Sequence, residues 1–555
     1  MTRPFRVRWL GRVGYREAHA LMTGMWAHDR GRALLLLEHP PTYTLGVRAD
    51  LTHVLVPPAS VGAELVRTDR GGDVTFHGPG QLVGYPIVDV ALGTNAIPNH
   101  VHAIEQVVID ALADVGLPGA GRYEGYPGVW VGIDDGAPRK IAAVGVRVSK
   151  GRSMHGFALN VDVDLDWFDN IVPCGISEFR VTSLAAEGVA ATMRDVVEAV
   201  AARAAAQWGT DVDRADVAWA HRPEDLSVFS RAHAEGHGTA APGRALGRLA
   251  AAGVDTSTAV TLSARKPEWL RAKADFGPEY RSLKKTMRSL DLVTVCEEAG
   301  CPNISECWAD GTATFMINGE RCTRACGFCL VDTRKPEPPS VDEPERVAAA
   351  IAKLGLRHAV VTTVARDDLA DGGAAGFAAT IAAVRATSPA TAVEVLISDC
   401  KGDAESLDLI FRAQPDVLNH NLETVARLQR AVRPSAGYAR SLAVLARAKA
   451  AGLTTKSGIM VGLGESHDEV IGALRDLRSV GVDIVTVGQY LRPTEQHLPV
   501  ARWWTPEEFA ALKAEADNLG FAHVECSPLT RSSYHARAAA DMAQGTPLAA
   551  SGSFS

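Results

Sequence analysis

The chain has 555 residues, 46% hydrophobic and 22% charged, with a formal net charge of -8 at pH 7. That is too much chain for one hydrophobic core, so two or three domains are expected, and the acidic balance excludes a nucleic-acid footprint, the basic run from Arg321 to Arg324 being short and local. No apolar run approaches the ~20 residues that cross a bilayer, the opening MTRPFRVRWL lacks a signal-like apolar core, and nine cysteines point to metal ligation in a reducing cytoplasm rather than to disulfides.

In the first 219 residues strands outnumber helices. ALLLLEHPPTYTLG (33–46) reads as a buried strand interrupted by Pro40-Pro41, and RGGDVTFHGPGQLVGYPI (70–87) as a glycine-dense loop whose backbone can approach a ligand closely. Residues 98–116 and 192–208 have helical amphipathicity, while KIAAVGVRV (140–148) and SMHGFALNVDV (153–163) read as strands. The mixture predicts an α+β domain over 1–219. From 220 to 264 the sequence turns to Ala, Gly, Ser and Thr with scattered His and without sustained periodicity, which reads as a flexible linker.

From 265 to 555 the pattern becomes regular. Strand candidates fall at 314–319, 358–364, 392–398, 416–422, 455–464 and 483–491, separated by helical stretches such as 343–354 and 438–451. Six β–α units in order predict an α/β parallel sheet curled into an incomplete (βα)6 TIM-type barrel, with function at the C-terminal strand ends.

Six of the nine cysteines lie in two triplets before and after the first of these strands: Cys296-x4-Cys301-x5-Cys307 and Cys322-x3-Cys326-x2-Cys329. Three thiolates at such range hold three irons of a [4Fe–4S] cube and leave the fourth iron open; a zinc knuckle is the alternative for a thiolate set of this size. Two triplets imply two cubes.

The words around the second triplet are specific. RCTRACGFCLVDTRKP (321–336), CEEAGCPNISECW (296–308), LADGGA (369–374), PDVLNHNLETV (415–425), TKSGIMVGLGE (455–465), GQYLRPT (488–494) and RSSYHA (531–536) together resemble lipoyl synthase, a radical S-adenosylmethionine enzyme, over about 265–540. The resemblance implies that Cys322, Cys326 and Cys329 hold the cluster that cleaves S-adenosylmethionine to a 5′-deoxyadenosyl radical. It implies that Cys296, Cys301 and Cys307 hold an auxiliary cluster consumed as sulfur donor, with Ser533 on its fourth iron; the plainer reading of Ser533 is a helix cap. An alkoxide is a harder donor than the sulfide-rich cube prefers, which suits a ligand that must leave. Gly372 and Gly373 are expected at the methionine end of the bound sulfonium; Asn419, Glu423, Arg433 and Lys456 lie near predicted strand ends, where contact with substrate or cofactor and an ordinary surface or supporting role are equal readings. Cys400 and Cys526 read as small buried hydrophobes.

Cys174 is the one cysteine before 220. A lone cysteine is usually buried and inert, but this one stands in IVPCGISEFRVTSL (171–184) alongside the glycine-dense loop, Lys140 and SMHGFALNV. Those segments, in that order, resemble octanoyltransferase over about 5–210, a family with a biotin/lipoate ligase-like fold. The resemblance implies a catalytic pair of Cys174 and Lys140, a thiol to attack an acyl thioester and an amine to manage its proton. It places substrate contacts at Arg70, Gly71, Gly72 and Asp73, at Val74, Thr75, Phe76 and His77, at Ala143, Val144 and Gly145, and at Gly156, Phe157 and Ala158. For His77, a loop-fixing hydrogen bond is an equal reading.

Together the resemblances imply a bifunctional lipoate-biosynthesis enzyme of the cytoplasm. The first half takes octanoate from octanoyl-acyl carrier protein to a lysine of a lipoyl carrier domain, and the second inserts sulfur at C6 and C8. Expected cofactors are two [4Fe–4S] clusters and S-adenosyl-L-methionine. Expected partners are the lipoyl domains of 2-oxoacid dehydrogenase E2 subunits, glycine cleavage H protein, and an electron donor such as ferredoxin or flavodoxin.

Overall fold

The computed structural model describes residues 3–175, 178–219, 242–271, 303, 307 and 312–543. The chain divides into two compact units, Met1–Trp219 and Ala220–Ser555.

The first unit is built on a nine-stranded mixed sheet. Its strands are β1 (Phe5–Arg12), β2 (Ala33–Glu38), β6 (Gln81–Ile87), β7 (Gly121–Tyr123), β8 (Tyr126–Val131), β9 (Arg139–Ser149), β10 (Arg152–Asn160), β11 (Arg180–Val181) and β12 (Val212–Asp216). They run β12-β1-β2-β6-β10-β9-β8-β7, with β11 on β9. The leucines of β2 are continuous because the strand is covered on both faces; all four are at most 1% exposed. Pro40-Pro41 then end the ladder, since proline offers no amide hydrogen. The chain passes into a small second sheet, with β3 (Thr42–Leu45) between β4 (Glu64–Arg67) and β5 (Val74–His77). β9 and β10 form a hairpin closed by Lys150 and Gly151, both left-handed at φ 49° and 73°, as a two-residue turn matching strand twist requires. Helices Ala96–Asp114 and Met193–Trp208 lie in the two segments with helical amphipathicity.

The second unit is a seven-stranded parallel sheet in sequence order: β13 (Thr312–Ile317), β14 (His358–Thr363), β15 (Ala392–Leu396), β16 (Val417–Asn419), β17 (Thr455–Val461), β18 (Ile484–Gln489) and β19 (His523–Cys526). A helix follows each of the first six strands before the next begins, as in Glu343–Leu354 and Tyr438–Ala450, so this is the expected succession of β–α units with one strand more. β19 has only four residues, two of them a histidine and a glutamate, too short and polar to register as periodicity. Apolar residues of β13 to β16 and of the covering helices form a continuous core that includes Cys400.

The linker reading needs correction. Residues 220–241 lie outside the described residues, but 242–264 are not a bare tether. They contain the helix Pro242–Ala251, bury Leu249 and Val254, accept an Arg427 hydrogen bond at the Ala252 carbonyl and bridge Val260 to Val500. Ten helical residues with apolar side chains at 246 and 249 are too few for a periodic signal, and the packing that stabilises them is tertiary.

Candidate functional site

In the first unit the expected residues converge on a cleft of about 470 Å³ between the glycine-dense loop and the β9–β10 hairpin. Arg70, Gly71, Gly72, Asp73, Thr75 and His77 line one wall. Ala143 to Gly145 and Gly156 to Ala158 line the other, with Cys174 at the edge. Gly156 has a steric reason: a Cβ there would stand 2.2 Å from the Gly84 carbonyl oxygen. Val74 and Phe76 do not reach the cleft. Successive β5 residues point to opposite faces, and these two enter a separate aromatic core, where Phe76 stacks on Trp167 with centroids 5.0 Å apart. His77 has both ring nitrogens engaged, Nδ1 with Gln81 at 2.8 Å and Nε2 with Thr44 at 3.2 Å, and burial pushes its pKa well down. That favours the loop-fixing reading.

Cys174 and Lys140 share an adjoining cavity of about 280 Å³, with Thr75, Gln81, Asn160 and Phe168. Cys174 is half-buried at the centre of the turn Pro173–Gly175, in the left-handed region at φ 57°. That backbone is costly for a residue with a Cβ and aims the side chain outward from the turn. His53 supports the turn from behind, its carbonyl accepting from Val172 at 2.8 Å and its Nδ1 lying 2.5 Å from Asp73 Oδ2. Lys140 is buried, with Nζ 4.7 Å from the centre of the Trp130 ring. Arg70 is a buried guanidinium held by Thr44 Oγ1 and the Thr44 and Gly71 carbonyls. Among the described residues it has no carboxylate within ion-pair distance, although the Asp73 side chain lines the same cleft.

In the second unit the loop after β13 brings Cys322, Cys326 and Cys329 together. Its shape is fixed by backbone bonds: Cys322 N to Asp332 O at 2.7 Å, Thr323 N to Ala365 O at 2.9 Å, Gly327 N to Val432 O at 2.9 Å, and Cys329 N to Cys326 O at 3.1 Å. Cys322 Sγ accepts from the amides of Arg324 and Ala365 at 3.4 and 3.3 Å. The three residues are half-buried as a whole, and burial first, with the neighbouring thiols adding to it, pushes Cys326 up to about 11 and Cys329 higher. Three crowded thiols that resist ionising alone are a donor set suited to a cationic cluster, and they fit an iron–sulfur centre. Sequence reasoning missed the clamp on this loop. Arg324 makes a two-pronged contact with Asp367, 2.8 Å on each prong, and reaches Asp399 at 2.5 Å. The partners come from the ends of two other strands, and no local spacing announces such a trio.

Cys296 and Cys301 lie outside the described residues. Asn303, two residues past Cys301, is described: its side chain donates to the Leu529 carbonyl at 2.7 Å and its own carbonyl accepts from Cys307 N at 3.0 Å. The first triplet's segment is thus tied to the turn leading into Arg531, Ser532, Ser533 and Tyr534. That turn rests on the end of β18, where a Cβ at Gly488 would be 2.1 Å from the Thr530 carbonyl oxygen. Ser532 accepts from Asn421 at 2.6 Å, while half-buried Ser533 makes no side-chain hydrogen bond among the described residues, so the capping role is not the one it performs.

Gly372 and Gly373 are both left-handed, at φ 62° and 90°, and Asp371 accepts from the Gly373 amide at 3.0 Å. Asn419 Nδ2 and Lys456 both bond Glu394 inside the barrel, at 3.1 and 3.0 Å, while the buried Asn419 Oδ1 has no hydrogen-bond partner among the described residues. Burial would raise the Glu394 carboxyl, but the Lys456 ammonium and His358 together outweigh it and hold it at about 2. Arg433 donates to the Asn421 and Leu422 carbonyls, and Glu423 is held at φ 68° beside them. Cys400 and Cys526 are buried, as the sequence suggests.

Residues 15–205 match the family model described as the lipoyl protein ligase A/B catalytic domain. Residues 255–301 match the N-terminal domain of lipoyl synthase, and 316–477 the radical SAM superfamily. The chain is 57% identical over 289 residues to a lipoyl synthase of Rubrobacter xylanophilus, covering 52% of this chain and 90% of the relative. It is 53% identical over 283 residues to a lipoyl synthase of Kineococcus radiotolerans, covering 51% and 85%. Similar solved structures include a bipartite lipoate protein ligase from Thermoplasma acidophilum, at TM-score 0.33 and 18% identity, covering 40% of this chain and 90% of that one. Another is methylornithine synthase, at TM-score 0.31 and 15% identity, covering 48% and 79%. Among the described residues no helix is long and apolar enough to cross a membrane.

Proposed function

The chain belongs to the lipoyl synthase family, and we propose that it is bifunctional: its first unit moves octanoate from octanoyl-acyl carrier protein to a lysine of a lipoyl carrier domain, and its second inserts sulfur at C6 and C8 of that chain. The acceptors are E2 lipoyl domains and glycine cleavage H protein, and a ferredoxin or flavodoxin is the reductant. The first catalytic region is 1–219, and the second includes the segment 242–264 that packs with it.

The observation that carries the first reading is the cavity shared by Cys174 and Lys140. The Cys174 thiolate attacks the donor's thioester carbonyl, the carrier thiol leaves, and a new thioester conserves the acyl energy. The acceptor amine then attacks, and Lys140 takes the proton that amine must lose. Buried Arg70, which lines the same cleft, favours the anionic tetrahedral oxygen without supplying a proton. A ligase forming an acyl adenylate has no use for this thiol.

In the second unit Cys322, Cys326 and Cys329 would hold one [4Fe–4S] cluster, and Cys296, Cys301, Cys307 and Ser533 a second. Bound there with S-adenosylmethionine, such clusters supply an electron, a hydrogen-abstracting radical and sulfide. The chain's own contribution is placement. Arg324 clamps the cysteine loop to two strand ends, Gly372 and Gly373 bare the backbone where the sulfonium's methionine end would lie, and Gly488 seats the Ser533 turn.

Anaerobic reconstitution should give roughly eight irons per chain, as two cubes require. Incubation with octanoyl-acyl carrier protein should leave an octanoyl thioester on Cys174, visible by mass spectrometry, and full turnover should yield a lipoylated carrier. A chain with about four irons, or a methylthio product, would overturn the second reading. Transfer without any trapped thioester would overturn the first.

A further inference from the structure

Behind the acyl cleft, three side chains from three elements present one ligand atom each, all within 4.8 Å of one another: His19, Asp69 and His155. His19 comes from the helix Tyr15–His28, Asp69 from the segment after β4, and His155 from β10. His155 Nε2 lies 2.7 Å from Asp69 Oδ1, and His19 Nε2 lies 3.4 Å from the same oxygen. The other carboxylate oxygen accepts from Arg147, leaving Oδ1 as the single donor both rings address.

The aim of His155 is imposed by the backbone. It is a strand residue with φ 58°, in the left-handed region histidine rarely enters, and its amide is spent on the Met22 sulfur at 3.0 Å. Its side chain is 2% exposed, while those of His19 and Asp69 are 37% and 35% exposed, so a buried anchor meets two ligands open to solvent. Two imidazoles and one carboxylate oxygen converging with one side open is a donor set for a borderline divalent ion, with water completing the shell.

We propose that His19, Asp69 and His155 form a binding site for a divalent transition-metal ion of the zinc class. The site does not depend on the thiol chemistry of the cleft, although His155 lines both. Arg147 acts on it in two opposed ways, orienting the carboxylate through Oδ2 and repelling a cation through its charge.

The test is titration of Co(II) into the anaerobic full-length protein after its cysteines have been loaded with iron–sulfur clusters. Wild type should take up one further Co(II), with the visible absorption of a nitrogen–oxygen site and no thiolate charge-transfer band. Asp69→Asn and His19→Gln, both part-exposed positions, should weaken uptake by roughly tenfold or more, and Arg147→Gln should tighten it several-fold. Equal uptake by wild type and Asp69→Asn, absence of the further ion, or a thiolate band that survives His19→Gln would each overturn the site.

Discussion

Both units place thiols in enclosed loops, but to opposite ends. Cys174 is half-buried in a left-handed turn beside the buried Arg70 guanidinium, with Lys140 lining the same cavity. Cys322, Cys326 and Cys329 are packed against one another, and burial drives their pKa values up. A nucleophile must be reachable by substrate, so its surroundings supply an opening. A ligand thiol need only ionise when a cation arrives, so its surroundings supply shape. On the function proposed above, the first unit contains its own reagents and the second is a socket.

The largest effects separate reagent from socket. Cys174→Ser should lower acyl transfer by roughly 10⁴-fold or more and abolish the acyl-enzyme, while iron content and sulfur insertion into a pre-octanoylated carrier stay at wild-type levels. Cys326→Ala should do the reverse, losing about half the iron and all sulfur insertion while octanoyl transfer continues. Iron analysis and two separate product assays read both variants. Loss of both activities from either substitution would end the division of labour drawn here.

The next effect tests the socket's floor. Lys456→Met leaves the Glu394 carboxylate without its ammonium in the barrel interior and should cost the second unit about 3–5 kcal/mol. The pH dependence has a definite sign. Glu394 sits at about 2 in the folded protein against an ordinary 4.5, so the pair stabilises fully above pH 4.5 and loses its contribution as pH falls toward 2. Urea midpoints should therefore show the variant's deficit largest near neutrality and shrinking below pH 4.5. His358 is the other titratable group at this carboxylate, 3.5 Å away, so a His358→Gln control isolates the lysine.

What could be read from the sequence follows from how local each cause is. The β–α succession was legible because each strand and helix carries its own periodicity, and the cysteine loop because its ligands lie within eight residues. Val74 and Phe76 were expected in the cleft because a motif is read as a block, whereas a strand divides its residues between two faces. Asn419 and Lys456 read, from strand-end polarity, as ligand contacts or as supporting residues; the Glu394 carboxylate that takes Lys456 and the Asn419 amide nitrogen stands on β15, beyond any local pattern. The helix Pro242–Ala251 was missed because its stability comes from contacts with Arg427 and neighbouring segments of the second unit.

Gly488→Ala tests whether the second socket is shaped by backbone contact. The added methyl would meet the Thr530 carbonyl at 2.1 Å, so the Ser533 turn must shift, at about 1–3 kcal/mol. Iron at the second triplet should be retained, and iron assigned to the first triplet should fall. A variant with full iron and full sulfur insertion would mean that the turn's position is not held by this contact.

The mildest lesion, with no clash and no change of site, is the same one made in both units. Tyr15 donates to neutral Thr68 at 3.1 Å in the first unit, and Tyr438 donates to the Asp476 carboxylate at 2.9 Å in the second; all four residues are buried. Replacing each tyrosine by phenylalanine keeps the ring and removes one donor. A neutral hydrogen bond is worth about 0.5–1.5 kcal/mol and one to a charged acceptor about 1.5–3 kcal/mol. Tyr438→Phe should therefore be the costlier, and each variant should move only its own unit's step in a denaturant titration. If Tyr15→Phe displaced the second unit's step as well, the two regions would be one cooperative body and the contrast between reagent and socket would have no separate stabilities behind it.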